Sequence, residues 1–409
     1  MPDDAPRTHD HTPELNMRPR HRHIGAAGHL DPALPKRLQE LLAHGKAAAA
    51  APFTGLTAGG TPRPGLFPLH RTGVSLAPVI AAGEHFLAAL SPAERDTAAF
   101  PIDSDAWREW SNIHPYLSRH GVCLRDLGET KRAAALALVR ESLSASGFTT
   151  ARNVMQLNEH IRELTGRPEE YGEWYYWLSI FGMPSAEQPW GWQIDGHHLI
   201  INCFALGDQI VLTPSFLGSE PVFAASGQYA GTRVFEDEEA KGLALMRALS
   251  PAQQEAATIS KDLPMEVFAA AYRDNLTLGY QGINYDRLTP AQQALLRGLI
   301  GVYVGRIRPG HAEIRMAEVT AHLGETWFAW MGSCDAASPF YYRIHSPVIL
   351  IEFDHQRGIA LDNDEPSRNH IHTLVRTPNG NDYGKDLLRQ HYQQHDHSHP
   401  HTPHRQGLE

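Results

Sequence analysis

The residues best equipped for chemistry lie between positions 346 and 384, in SPVILIEFDHQRGIALDNDEPSRNHIHTLVRTPNGNDYG. The apolar opening, residues 348–351, is rich in β-branched side chains and reads as a buried strand that ends in Glu352, Asp354 and His355. A second β-like run starts at His370-Ile371-His372. Side chains two apart on a strand share a face, so His370 and His372 aim together, and so do Glu352 and Asp354. Laid side by side, the two strands bring imidazoles and carboxylates to one spot, the ligand types that divalent transition metals favour. The plainer reading of HxH is a strand-end pair that is exposed or hydrogen-bonded. The two nearby carboxylates tip the balance to a metal site.

A further source of ligands is Gly196-His197-His198. Adjacent strand residues face opposite ways, so one of His197 and His198 joins the same ion unless a bulge re-aims them; the other packs or hydrogen-bonds. Arg343 and Arg376 flank the motif strands. Their planar forks suit a carboxylate or phosphate, which makes them candidate anchors for an anionic substrate. A structural ion pair with Asp354, Asp362 or Asp382 explains them equally well. Pro378-Asn379-Gly380 has the residues of a tight turn, which returns Asp382 and Tyr383 toward the strand end. Trp190 and Trp192, just before the histidine pair, and Tyr342 beside Arg343 are candidate pocket walls, although aromatic side chains more often fill a core.

These residues need elements to position them. Helical periodicity starts near Gly83 and is clearest over residues 130–145 and 151–164. Strand patterns follow at 173–181, at 209–213 and 326–331, and at 340–344, 348–353 and 370–375, with a mostly helical stretch over 237–323 and a short closing helix at 385–391. The segment GMPSAEQPWGW, ending at Trp192, reads as a loop. Strands in two clusters with helices before and between them predict an α+β fold in one large domain. Leu90-Ser91-Pro92-Ala93, Leu249-Ser250-Pro251-Ala252 and Leu288-Thr289-Pro290-Ala291 each place a hydroxyl at a helix N-cap and Pro at the first helical position. Their unequal spacing reads as shared capping chemistry rather than an internal repeat.

The expected organisation is a disordered arm over 1–32, a loosely structured lead-in over 33–78, a globular domain over 79–393 and a disordered histidine-rich tail over 394–409. Many of the 25 histidines sit in the two tails, where ordering costs entropy and a solvated segment is the simpler reading. The net charge of −10 across 409 residues argues against a nucleic-acid partner. No apolar stretch reaches membrane-spanning length, and the N-terminus lacks the apolar core of a secretory signal. Cys123, Cys203 and Cys334 are too few and scattered for a disulfide framework. A cytoplasmic location is expected. Walker and dinucleotide loops, the nucleophile elbow and HExxH are absent.

Trp190-Gly-Trp192, GHHL at 196–199 with Asn202, Tyr341-Tyr342-Arg343, IEFD at 351–354 and the later HIHT together resemble the family catalogued as domain of unknown function 3500, over roughly residues 80–393. Many members carry a shorter segment after the aspartate; here it is lengthened to DHQRGIALDNDEPSRNH, so the chain resembles a variant branch to which His355 is peculiar. The resemblance implies a fold neighbourhood and no activity, so function rests on the site.

The residues point to a metalloenzyme acting on a small organic substrate. His197 or His198 with His370 and His372 would hold the ion, and Glu352 or Asp354 would be fourth ligand or general base. Zinc, which activates a bound water for hydrolysis, is the first expectation, and up to six possible ligands, more than one ion needs, make a two-metal hydrolytic site conceivable and tip the reading toward hydrolysis. A mononuclear iron or copper oxidoreductase is the second. A binding protein without catalysis is the third. The oligomeric state is not legible in the residues.

Overall fold

A computed structural model describes residues 34–112 and 120–394, so the arm at 1–32 and the tail beyond Gln394 lie outside the described residues. The lead-in carries a helix, Leu34–Ala50, before an extended segment that runs to the next helix, Ala77–Ala89. Among the described residues, all 13 strands join one mixed sheet. They are β1 (Ala99–Phe100), β2 (Val122–Cys123), β3 (Tyr176–Phe181), β4 (Trp190–Gly196), β5 (Leu199–Leu206), β6 (Gln209–Val211) and β7 (Ser215–Ser219), then β8 (Thr258–Ser260), β9 (Ile283–Asn284), β10 (Trp327–Gly332), β11 (Phe340–His345), β12 (Leu350–Arg357) and β13 (Pro366–Arg376). Their order is β1-β3-β4-β5-β7-β13-β12-β11-β10-β8, with β2, β6 and β9 pairing β3, β5 and β10. The fold is α+β in a single large domain.

Alternation along the strands separates two cores. Ile180, Trp192, Ile201, Ile344, Phe353 and Ile371 face the helices and belong to the larger one. Ile200, Phe216, Leu350 and Leu374 face the other way, where irregular segments supply Leu56, Trp107, Trp110, Val267 and Leu278. Full burial of each such side chain is worth about 1.5–3 kcal/mol. Both faces are therefore covered, which is why β4, β5 and β11 are buried throughout, polar residues such as Gln193, Asp195, Arg343 and His345 included.

The strand order reads the same from either edge, and the registers agree. Leu178 pairs with Val122 and Ile194; Phe328 pairs with Ile283 and Ile344. Trp192 pairs with Cys203 as Tyr342 pairs with Phe353. Gly121 and Gly282, both at positive φ, sit where a Cβ would strike the carbonyl oxygens of Leu178 and Phe328. The helices begin alike too: Ser91 and Ser250 each close a capping box behind a first-turn Pro, and each helix leads directly into an edge strand that pairs in parallel. The chain is thus two copies of one helix-and-sheet unit related by a pseudo-two-fold, joined where β7 pairs antiparallel with β13. This corrects the expectation of mere shared capping. Insertions of unequal length between matching elements hide the period, while the ladders preserve it.

Candidate metal centre

The site lies on that central seam. In β13 the two-residue period puts His370 and His372 on one face, with His372 opposite Gly218 of β7 and Asp354 of β12. His197 and His198 form the tight turn between β4 and β5, closed by the Gly196–Leu199 pair. His198 adopts a φ of 62° there, and its carbonyl accepts from the N–H of Gly218 at 2.8 Å. The turn therefore throws the His198 ring over Gly218 toward β13. A Cβ on Gly218 would lie 2.9 Å from His372 Cδ2 and 3.0 Å from His198 Cδ2; the bare backbone makes room for both rings.

The three Nε2 atoms converge: His370 to His372 at 3.0 Å, His372 to His198 at 3.1 Å and His370 to His198 at 3.2 Å. Nitrogens bound about 2.0–2.1 Å from one tetrahedral ion would stand about 3.3 Å apart. The outer nitrogens fix the tautomers. His370 Nδ1 donates to the Arg357 carbonyl at 2.7 Å and His372 Nδ1 to the Glu266 carboxylate at 2.7 Å, so both Nε2 atoms present lone pairs. Burial, partly offset by Glu220, pushes His370 down to about 4, so a proton is a poor bridge at neutral pH. A cation satisfies the arrangement, and this buried cluster could hold a metal ion.

Glu266 orients His372. Its own oxygens also accept from the N–H of Val267 at 3.0 Å and the amide of Asn112 at 3.2 Å. Burial raises its pKa, but the His372 ring and these hydrogen bonds outweigh burial and hold it below the ordinary value. Glu220 lies 3.7 Å from His370 Nδ1 and accepts from the N–H groups of Ile359, Ala360 and Leu361. It clamps the lengthened segment after β12 onto the site. Glu266, Glu220, Gly218 and Asn112 are absent from the reading of the sequence, because each stands in a segment with no ligand-like spacing.

The remaining candidates fall elsewhere. His197 bonds Asn158 through Nδ1 at 2.8 Å, so of the turn pair it is His198 that joins the cluster. His355 faces the helices, between Glu239 at 2.9 Å and the Phe340 backbone at 3.0 Å. Glu352 shares the histidine face, but its oxygens accept from Phe268 N–H at 2.7 Å, Ala269 N–H at 2.8 Å and Tyr341 Oη at 2.7 Å. Those bonds close the loop over 266–270 and leave it outside the ligand group. Asp354 also lies outside that group. One of its oxygens accepts from Gln356, and the other is buried without a partner. Burial, then Glu266 and Glu352, raises its pKa well above the carboxylate range.

Arg376 is wholly buried and paired to Asp274 at 2.7 Å and Asp382 at 3.1 Å, the structural alternative weighed for it. Asp382 is taken up by that pair and by the N–H of Thr377. Trp190 and Trp192 belong to β4 rather than to a loop, and both pack in the helix-side core with Tyr342. They stand behind the sheet, not around the histidines. A cavity bordered by Phe67, Leu212, Tyr303, His311 and Val375 contains none of the three histidines.

A family model described as Protein of unknown function (DUF3500) matches residues 72–385. No curated protein and no solved structure matches. No helix among the described residues is long and apolar enough to cross a membrane.

Proposed function

Since the chain belongs to that family over residues 72–385, and its description names no reaction, we propose from the site alone a metal-dependent enzyme acting on a small organic substrate. The observation that carries this reading is the facing pair of Nε2 lone pairs on His370 and His372, fixed by the Arg357 carbonyl and Glu266, with His198 completing the set. Three imidazoles with a carboxylate behind one of them suit zinc and leave a fourth position for water or substrate. Such an ion supplies a water of lowered pKa, which favours hydrolysis. Asp354 carries an unpartnered buried oxygen in the strand next to His372, and its raised pKa suits a carboxyl group that exchanges a proton with a group at that position.

Copper, which also accepts three imidazoles, is the metal of the redox alternative. The occupied oxygens of Glu352 weigh against the iron arrangement of two histidines and a carboxylate. A non-catalytic metal carrier needs no orphaned carboxylate, and Asp354 speaks against it. The unpaired Cys123, Cys203 and Cys334 accord with work in a reducing compartment, the cytoplasm by preference.

Elemental analysis of the purified chain beside its His370→Ala/His372→Ala form tests the reading. One equivalent of metal present in the first and missing from the folded second is expected, and its identity selects hydrolysis or redox chemistry. Equal metal in both would leave the histidine-rich tails as the source and overturn the proposal.

A further inference from the structure

The duplicated architecture lets one half of the chain serve as a reference for the other. In β4 and β5, Gln193 stands opposite Asn202; the matching pair in β11 and β12 is Arg343 opposite Glu352. Asp195 and His345 correspond in the same way, each pairing across to its first-row tryptophan, Trp177 or Trp327. The first copy links its amides: the Gln193 amide donates to Asn202 Oδ1 and to the Trp107 carbonyl at 3.0 Å, and the Asn202 amide donates to the Pro214 carbonyl at 2.8 Å, which leaves one neutral acceptor, Gln193 Oε1, without a partner. The fold therefore needs no charge where Arg343 and Glu352 stand.

The second copy is charged and incompletely partnered. Arg343 and His345 are each 1% exposed. The Arg343 Nη2 donates to Gln281 at 2.7 Å, but its Nε and Nη1, and both ring nitrogens of His345, are buried without a hydrogen-bond partner. Glu352 faces Arg343 across the ladder, yet its oxygens are committed to Phe268, Ala269 and Tyr341. Unsatisfied buried donors lower stability unless something binds them. Phe268 lies against the guanidinium and Tyr280 against the His345 ring, and Gln281 is exposed. The guanidinium thus sits one side chain below solvent.

We propose that Arg343 and His345 form a buried anion subsite that takes a carboxylate of the substrate whose reacting group lies at His198, His370 and His372. Arg343 and His372 share a sheet face, two strands and two residues apart, roughly 12 Å between backbones by ordinary sheet spacings. Tyr341 and Asp354 share the row of His372, and Glu352 shares the adjacent row of Arg343. An oxygen pair of the carboxylate accepts from the free guanidinium N–H groups and from the one N–H of a neutral His345.

The assignment of this anion to the substrate rests on the metal-enzyme reading; the subsite itself does not, and the test separates them. Thermal unfolding is followed in sodium acetate, in acetamide and in sodium chloride of equal ionic strength, for the full chain, for Arg343→Gln and for His370→Ala/His372→Ala. Acetate alone should raise the midpoint of the full chain and of the histidine variant, and leave Arg343→Gln unmoved. Arg343→Gln installs the side chain that the first copy uses, so without acetate it should be as stable as the parent or more so. An acetate shift that survives in Arg343→Gln but vanishes in the histidine variant would place the anion at the metal and overturn the subsite. No acetate shift in the full chain, or an Arg343→Gln chain that fails to fold, would overturn it as well. Should acetate bind as expected while the histidine variant retains its full metal content, the subsite stands and the metal reading falls.

Discussion

His372 donates through Nδ1 to Glu266 at 2.7 Å, and Asn112 holds the other oxygen of the same carboxylate at 3.2 Å. The bond fixes the tautomer that bares Nε2 and raises its basicity, which is how a carboxylate behind a ligating imidazole strengthens a metal site. Glu266→Ala should weaken zinc binding about 10–100-fold with little change in the fold, as measured by competition with a chromogenic chelator. Asn112→Ala should weaken it less, because Glu266 keeps the Val267 N–H. Unchanged affinity in Glu266→Ala would mean that His372 is not a ligand.

Gly218 makes a separate prediction, from space rather than charge. Its missing side chain is where the rings of His198 and His372 approach β7, and a methyl group would also meet the Ile371 carbonyl at 2.9 Å. Backbone cannot swing aside as a flexible side chain can, so Gly218→Ala should destabilise by about 1–3 kcal/mol and separate the two imidazoles. Urea unfolding and metal titration together check this: metal affinity should fall even in preparations that remain folded.

How far these features could be read from the residues follows from what a linear pattern encodes. The two-residue period carries the shared face of His370 and His372, and their neighbouring strand did prove to be the one with Glu352 and Asp354. Nothing in a periodicity says that Glu352 would be consumed by Phe268 and Ala269 from a loop some eighty positions away. The turn at His197-His198 was ambiguous for a physical reason: a positive φ at His198 breaks the alternation on which the face assignment relied. Pro189, Gly182 and Gly191 make the segment around Trp190 and Trp192 read as a loop, and the short alternation of Trp192, Gln193, Ile194 and Asp195 in β4 is too brief to outweigh them. The duplication is hidden in the linear sequence because its signature lies in ladder registers, which pair residues distant in sequence.

Glu220 gives the lengthened segment after β12 its place. One buried carboxylate accepts the N–H groups of Ile359, Ala360 and Leu361 at 2.9–3.0 Å, and hydrogen bonds to a charged acceptor are worth about 1.5–3 kcal/mol each at most. Glu220→Ala leaves the buried N–H groups of Ala360 and Leu361 unsatisfied, so a loss of roughly 3 kcal/mol is expected. Amide hydrogen exchange should localise the damage: protection at 359–361 should collapse before that of β12 and β13.

His345 supplies a pH dependence whose sign can be worked through. Burial, then the Arg343 guanidinium, pushes its pKa from the ordinary 6.5 down to about 3. Above pH 6.5 the ring is neutral both folded and unfolded, and its contribution to stability is complete. As the pH falls from 6.5 toward 3, the unfolded chain takes up a proton that the folded chain refuses, so stability is lost at up to about 1.4 kcal/mol per pH unit. Between pH 7 and 5 this group alone should cost about 2 kcal/mol. His345→Asn cannot titrate, so urea unfolding at the two pH values should show the parent losing that much more than the variant. The group stacked on His345 leaves the sign intact: Tyr280, pushed upward by burial, stays neutral over the whole window. Equal losses in parent and variant would mean that the ring is protonated in the folded chain, with an anion already beside it.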